Sequence, residues 1–152
     1  MLYVCKIRDL EIRMSKVLLT ITGIQDGDEN VELITEGFLE ETEKSLILEY
    51  SETEISGMDG TRNIITIQDS MITLEREGEV STSLYFEQGK RFVGNYITSL
   101  GTLSMSVFPT LVSSYHDDTS GKVNLEYELD LEGEQTQNKL YLKYEKLDSK
   151  LS

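Results

Sequence analysis

The chain has 152 residues, with 28 acids against 14 bases, a formal net charge of −14, one cysteine and one proline. That length suits a single domain with one core, and 38% hydrophobic with 28% charged residues excludes a disordered or fibrous chain. The acid surplus excludes nucleic acid and anionic membranes as partners, because both would be repelled.

Residues 1–13 read "MLYVCKIRDLEIR", and their apolar run of five is too short for a signal peptide. Met14-Ser15-Lys16 is a candidate second start, with a strand pattern just after it. Residues 1–13 are therefore expected to form an N-terminal extension, either outside the core or as a short docking helix. The helix alternative rests on the spacing of Val4, Ile7, Leu10 and Met14. A barrel domain is expected over 14–147 and a tail over 148–152. The lone Cys5 has no internal disulfide partner, which agrees with a reducing compartment. No apolar run approaches the roughly 18 residues of a membrane span. The expected location is the cytoplasm.

"QDGDEN" at 25–30 has the Asp-x-Asp-x-Asn spacing that opens a calcium loop. An EF-hand beginning at Asp26 would put Val31 where glycine makes the sharp turn, and Gly37 where a bidentate glutamate is needed. The stretch reads instead as a polar hairpin turn, and no metal site is expected. It opens a segment, 26–59, with twelve acids and one base, a local charge of −11. Such a run is ordinarily a solvated face.

From 17 onward β patterns recur, with turn residues every 8 to 12 positions. Strands are expected over 17–24, 31–39, 45–51, 61–68, 71–76, 81–87, 91–98, 102–108, 110–116, 123–131 and 139–145. Pro109 is read as a break between two of them. Leu103, Met105 and Val107 alternate with polar residues, as do Val123, Leu125, Tyr127, Leu129 and Leu131. Each such strand therefore has one dry and one wet face. Charge pairing sets Glu132 opposite Lys139 and Glu128 opposite Lys143 in the last hairpin. This register also sets Leu131 on Leu140, Leu129 on Leu142 and Tyr127 on Tyr144. The fold class that follows is all-β: a single antiparallel up-and-down barrel of about ten strands, which closes to remove its edges.

The blocks "VLLTITGIQ" (17–25), "ELITEG" (32–37), "SETEISGMDGT" (51–61), "LEREG" (74–78), "YFEQGK" (85–90) and "LEYELDLEG...NKLYLKY" (125–144) resemble, in the same order, the YwiB-like family of bacterial domains of unknown function, common in Firmicutes. The resemblance covers about residues 17–145 and implies a calycin-type, lipocalin-like barrel. It implies no catalytic or binding residues. Lipocalin architecture does not carry lipocalin cargo with it.

Within the barrel the sequence singles out Arg76. If Ile72 and Leu74 face inward, parity sends Arg76 inward too. Leu46, Leu48 and Tyr50 give Glu52 and Glu54 the same inward parity. An inward arginine requires an anionic partner, so Arg76 is expected to meet Glu52 or Glu54 as an internal plug, or a ligand carboxylate or phosphate. Tyr50, Tyr96, Tyr115 and Tyr127 are candidate polar handles in an apolar cavity, or else ordinary aromatic core. "GMDGT" (57–61) reads as a turn rather than a phosphate loop. His116 is the single histidine and reads as a surface residue, so no catalytic residues are assigned and an enzyme ranks last.

The leading expectation is a cofactor-free barrel that holds a small apolar or amphipathic ligand. The alternative is a filled barrel acting as a structural or interaction protein, monomeric or homodimeric.

Overall fold

The structure, a computed structural model, describes residues 2–7, 10–27, 29–51, 60–78 and 80–147, with side chains from residue 12 onward apart from 29 and 30. Among these residues eleven strands form one antiparallel sheet: β1 (Leu2–Ile7), β2 (Leu10–Gln25), β3 (Glu29–Glu41), β4 (Ser45–Ser51), β5 (Arg62–Gln68), β6 (Met71–Glu77), β7 (Ser81–Phe86), β8 (Phe92–Thr98), β9 (Gly101–His116), β10 (Ser120–Leu131) and β11 (Glu134–Lys146). From β3 to β11 each strand pairs with its chain neighbour. β2 pairs with β3 on one side and β11 on the other, so β2 to β11 close into a ten-stranded barrel. β1 pairs with residues 10–15 of β2, beyond the end of β11. The docking-helix alternative for residues 1–13 is thus overturned: 2–7 and 10–13 are extended, and β2 runs without a break through Met14. Among the described residues no helix is long and apolar enough to cross a membrane.

The alternation read from the sequence is the alternation of the wall. Leu46, Leu48 and Tyr50 on β4, Ile65 and Ile67 on β5, Ile72 and Leu74 on β6, and Val123 and Leu125 on β10 are all buried. They pack with Val17, Leu19, Leu39, Phe86, Val107, Leu142 and Tyr144 into one cluster. We call the end carrying the β2–β3, β6–β7, β8–β9 and β10–β11 turns the mouth, and the opposite end the base.

Two expectations are corrected. Pro109 does not separate two strands, since β9 runs from Gly101 to His116. The ladder between β9 and β10 instead shifts between Glu126 and Tyr127, whose partners are Leu111 and Pro109, so Thr110 is an extra residue. Proline, which cannot donate to a ladder, is tolerated at such a bulge. The bulge also switches parity, so that Val112 and Ser114 take the face that Val107 and Pro109 had.

The last hairpin does not adopt the charge-paired register. Leu131 faces Glu134, Glu126 faces Lys139, Lys122 faces Lys143, and Leu125, Val123 and Gly121 face Leu140, Leu142 and Tyr144. Turn geometry decides this. Glu132 and Gly133 form a two-residue loop with φ of 53° and 89°, the positive values that suit the twist of a tight hairpin. The Gly133 N–H donates to Asp130 Oδ1 at 2.9 Å. Exposed ion pairs contribute less than about 1 kcal/mol each, so the turn prevails. The shift is an even number of residues, and every side chain keeps its expected face.

Polar groups collect near the base. Lys146 Nζ lies 2.9 Å from Glu41 Oε1, both side chains mostly buried, and Arg13 is the cross-strand partner of Glu41. The Tyr144 ring lies against Gly121, where a Cβ would fall well inside van der Waals contact. Its hydroxyl is buried with no hydrogen-bond partner among the described residues. Burial, then the nearby Glu41 and Asp117 carboxylates, push the Tyr144 phenol from 10.0 up to about 12.

Gly121→Ala should destabilise the fold by about 1–3 kcal/mol, because the buried Tyr144 ring must shift to admit the methyl group; urea denaturation measures it, and a neutral result would contradict the packing. Tyr144→Phe should be neutral or stabilise by about 1 kcal/mol, since it removes an unpaired buried hydroxyl. The wild type should also hold full stability below the unfolded phenol's value near 10.0 and lose it as pH rises through about 12. Denaturation between pH 9 and 12 should show the Phe variant losing less.

Candidate functional site

Strand pairing builds a belt across the inside of the wall near the mouth. Tyr50 faces Asn63, Asn63 faces Arg76, Arg76 faces Thr82, Thr82 faces Tyr96, and Tyr96 faces Leu103. Direct partners share a face, so these side chains stand side by side on six adjacent strands. Asn63 is 0% exposed, and Tyr50 and Thr82 are buried. Parity therefore places Arg76 inward, as its sequence predicts. Its Nε donates to Asn63 Oδ1 at 3.0 Å in a partly buried setting. Among the described residues no carboxylate reaches ion-pair distance of it. Glu52 and Glu54, its expected partners, lie outside the described residues. The neighbouring Glu77 is turned to the outer face, where it accepts from Arg62 at 3.2 Å. Arg62 also grips Glu49 through two bonds of 2.6 and 3.1 Å, which lower the Glu49 carboxyl below its usual value.

Across the interior, Tyr127 packs its ring edge-on against Phe86, with centroids 4.9 Å apart. Burial raises its phenol, and the Arg76 charge partly opposes that rise. Arg76 and Tyr127 line a hollow of about 500 Å³ together with Gly23, Ile24, Val31, Lys139 and Leu140. Gly23 keeps this space open: it stands where β2 parity points inward, and a Cβ there would meet nothing within 4 Å. The hollow carries two cations and an apolar rim.

Four of the expected site residues, Arg76, Tyr50, Tyr96 and Tyr127, face this end of the interior. Tyr115 does not. It is 61% exposed, faces Lys122 and donates to Asp117 at 3.4 Å. The bulge at Thr110 turned it to the outer face, which corrects its assignment as a cavity handle. Asn63, Thr82 and Gly23 were missed by the sequence reading. Asn63 has a visible signal, because it shares the parity of Ile65 and Ile67 in "RNIITIQ".

Other candidate chemistry resolves into structure. Asp26, in the acidic turn, accepts the Gln137 N–H at 2.9 Å and is flanked by strands. Gly60 of "GMDGT" has φ of 86°, as a turn requires; Gly57 lies outside the described residues. Ser114, His116 and Asp69 line one hollow of about 260 Å³ at the base, but no hydrogen bond joins any two of them, and a nucleophilic relay needs that contact. Asp117 is held below its usual range by the N–H groups of Thr119 and Ser120, a turn-forming role.

Residues 17–143 match the family described as Domain of unknown function (DUF1934). The chain belongs to this family. The crystal structure of the ywiB protein from Bacillus subtilis superposes with a TM-score of 0.77 at 19% identity, over 88% of this chain and 93% of that one. The YwiB-like resemblance and the closed barrel expected from the sequence are both borne out. At that identity the likeness concerns the fold. No curated protein matches the chain. For this DUF1934 member, the belt and hollow describe its own residues.

Among the described residues Arg76 pairs with an amide and not an acid, which sets the expected energetics. Arg76→Ala removes one hydrogen bond to a buried group, which should cost about 1–3 kcal/mol. A loss of about 3–5 kcal/mol in thermal or urea unfolding would instead reveal a stranded buried carboxylate.

Proposed function

We propose that this protein is a small-molecule-binding barrel of the cytoplasm whose ligand is amphipathic and anionic. The observation that carries the reading is the hollow of about 500 Å³ at the mouth, where a partly buried arginine has no acid beside it among the described residues. Ligand sites are concave, mostly apolar, and contain a few convergent polar groups. Here Ile24, Val31 and Leu140 supply apolar surface, and Arg76 offers the fork that suits carboxylate or phosphate. The buried cluster fills the centre and base of the barrel, so the ligand sits in the mouth with its anion on Arg76.

Octyl phosphate, kept below its micelle concentration, should raise the wild-type melting temperature, since a ligand that binds only the folded state stabilises it. Gly23→Leu should fold normally, because the space is open, and should abolish the shift by filling the hollow. Arg76→Met should abolish it by removing the charge. Equal shifts in all three proteins would defeat the reading.

The second reading, an interaction protein with a filled barrel, is favoured by Ile34 and Phe38, which stand on the outer face of β3 at 60% and 55% exposure. If that face joins two copies, sedimentation should give a dimer that Phe38→Glu converts to a monomer.

A further inference from the structure

The outer face of β3 alternates strictly. Glu32, Ile34, Glu36, Phe38 and Glu40 have the parity opposite to buried Leu39, so acidic and apolar side chains take turns along the outside of the wall. Ile34 and Phe38 are its exposed apolar members. Their strand is matched on β2 by Thr22, Thr20, Leu18, Lys16 and Met14 in turn. Leu18 is half-buried and lies diagonally between Ile34 and Phe38. Met14 is exposed on the diagonal beyond Phe38. Diagonal neighbours are within reach of long side chains, so these four apolar groups form one strip along the join of β2 and β3. The charges around the strip do not cancel. Lys16 reaches Glu36 at 3.5 Å in an exposed contact. Glu32 and Glu40 have no ion pair among the described residues. On the flanking strands Glu145 faces Leu18, Lys143 faces Thr20, and Glu49 faces Phe38. Arg62 already holds Glu49. The surplus of negative charge therefore sits on β3, beside the apolar strip.

From this pattern we infer that the outer face of β2 and β3 docks a cationic, apolar segment of a different protein. The segment seats its apolar side chains on Ile34, Leu18 and Phe38, and sets its ammonium or guanidinium groups over Glu32, Glu36 and Glu40. The inference rests on the interaction reading above, whose face it shares, and is independent of the ligand in the mouth. Apolar side chains exposed together and rimmed by polar groups mark an interaction surface, and the charges decide its occupant. A second copy is a poor match. A twofold contact of β3 on β3 that brings Ile34 against Phe38 also sets Glu36 of one copy on Glu36 of the other. Each copy carries a formal net charge of −14, and like charges juxtaposed in an interface oppose association. A cationic segment meets the opposite condition. Its charges neutralise Glu32 and Glu40, and the acidic field of the protein steers it to the face. Its apolar residues distinguish it from a plain polycation.

The probe is a fluorescein-labelled heptapeptide of alternating lysine and leucine. Anisotropy titrations are made at about 0.15 M salt, where attraction between distant exposed charges is screened. The wild type should bind the peptide. Ile34→Ser combined with Phe38→Ser should weaken binding by about tenfold or more. Glu32→Gln combined with Glu40→Gln, which keeps side-chain shape, should weaken it by about threefold or more. Asp118→Asn combined with Glu134→Gln removes the same charge from two turns and should leave binding within about twofold. Circular dichroism and thermal melting check the fold of each variant, and the shape-preserving pair decides the question if the serine variant is unstable. Absence of wild-type binding would overturn the inference. Equal losses in the face and turn variants would overturn it too, since the attraction would then belong to net charge alone. A wild-type dimer in sedimentation that Phe38→Glu dissociates would give the face to a second copy, overturning the inference while the interaction reading stands. If the wild type neither binds the peptide nor dimerises, both fall together.

Discussion

Everything inside this barrel depends on the pairing of β2 with β3. Thirteen consecutive partners, from Arg13 with Glu41 to Gln25 with Glu29, close the sheet on itself. Closure leaves the ten-stranded wall without exposed ladder groups along that join and fixes which face of every strand is inside. Because side chains alternate with a period of two, that single decision carries round the wall. It makes Val17, Leu19 and Ile21 core residues and leaves Thr20, Thr22, Glu32 and Glu36 outside. It also makes the inward face of β6 end in an arginine.

The two ends of the interior handle polarity differently. At the base, Glu41 and Lys146 neutralise each other, and Tyr144 fills the space so tightly that only glycine fits at 121. At the mouth, the polar belt of Asn63, Arg76 and Thr82 sits beside an unfilled position at Gly23. Burying a charge without an opposite charge is costly; among the described residues Arg76 has no carboxylate partner, but it stays partly exposed and hydrogen-bonded to Asn63. The proposed site at the mouth rests on that contrast rather than on the barrel architecture. Architecture of this kind serves both filled and hollow barrels.

The weak join in the wall lies next to the same belt. β7 and β8 are held by two ladder pairs plus the Thr82 hydroxyl, which donates to the Asn95 carbonyl at 3.2 Å. The Gln88 side chain and the Gly89 N–H tie the intervening turn to Val112 and Pro109 instead. The turn is anchored to β9, so β8 can diverge from β7 without fraying the sheet. The unpaired backbone of this join and the belt are consequences of the same local geometry.

The sequence by itself determined most of the strands from Val17 onward, most of their faces and most of their turns; it did not show β1, the start of β2 or the continuity of β9 through Pro109. The features it determined are local properties: period-two alternation, β-branched and aromatic residues, and glycines where a chain must reverse. It therefore also placed Arg76, Tyr50, Tyr96 and Tyr127 on inward faces. Register was beyond it, because charge pairing and turn geometry favoured different alignments of β10 with β11, and the energy difference lay in the backbone conformation of Glu132 and Gly133. The bulge at Thr110 was equally hidden, since an extra residue leaves the local pattern on either side intact, and Tyr115 was misplaced for that reason. Only the tertiary structure brought Asn63, Arg76 and Thr82 into one row and set Gly23 across from them. Such contacts join residues far apart in the chain, and their alignment is fixed by the closure of the whole wall rather than by any segment of it.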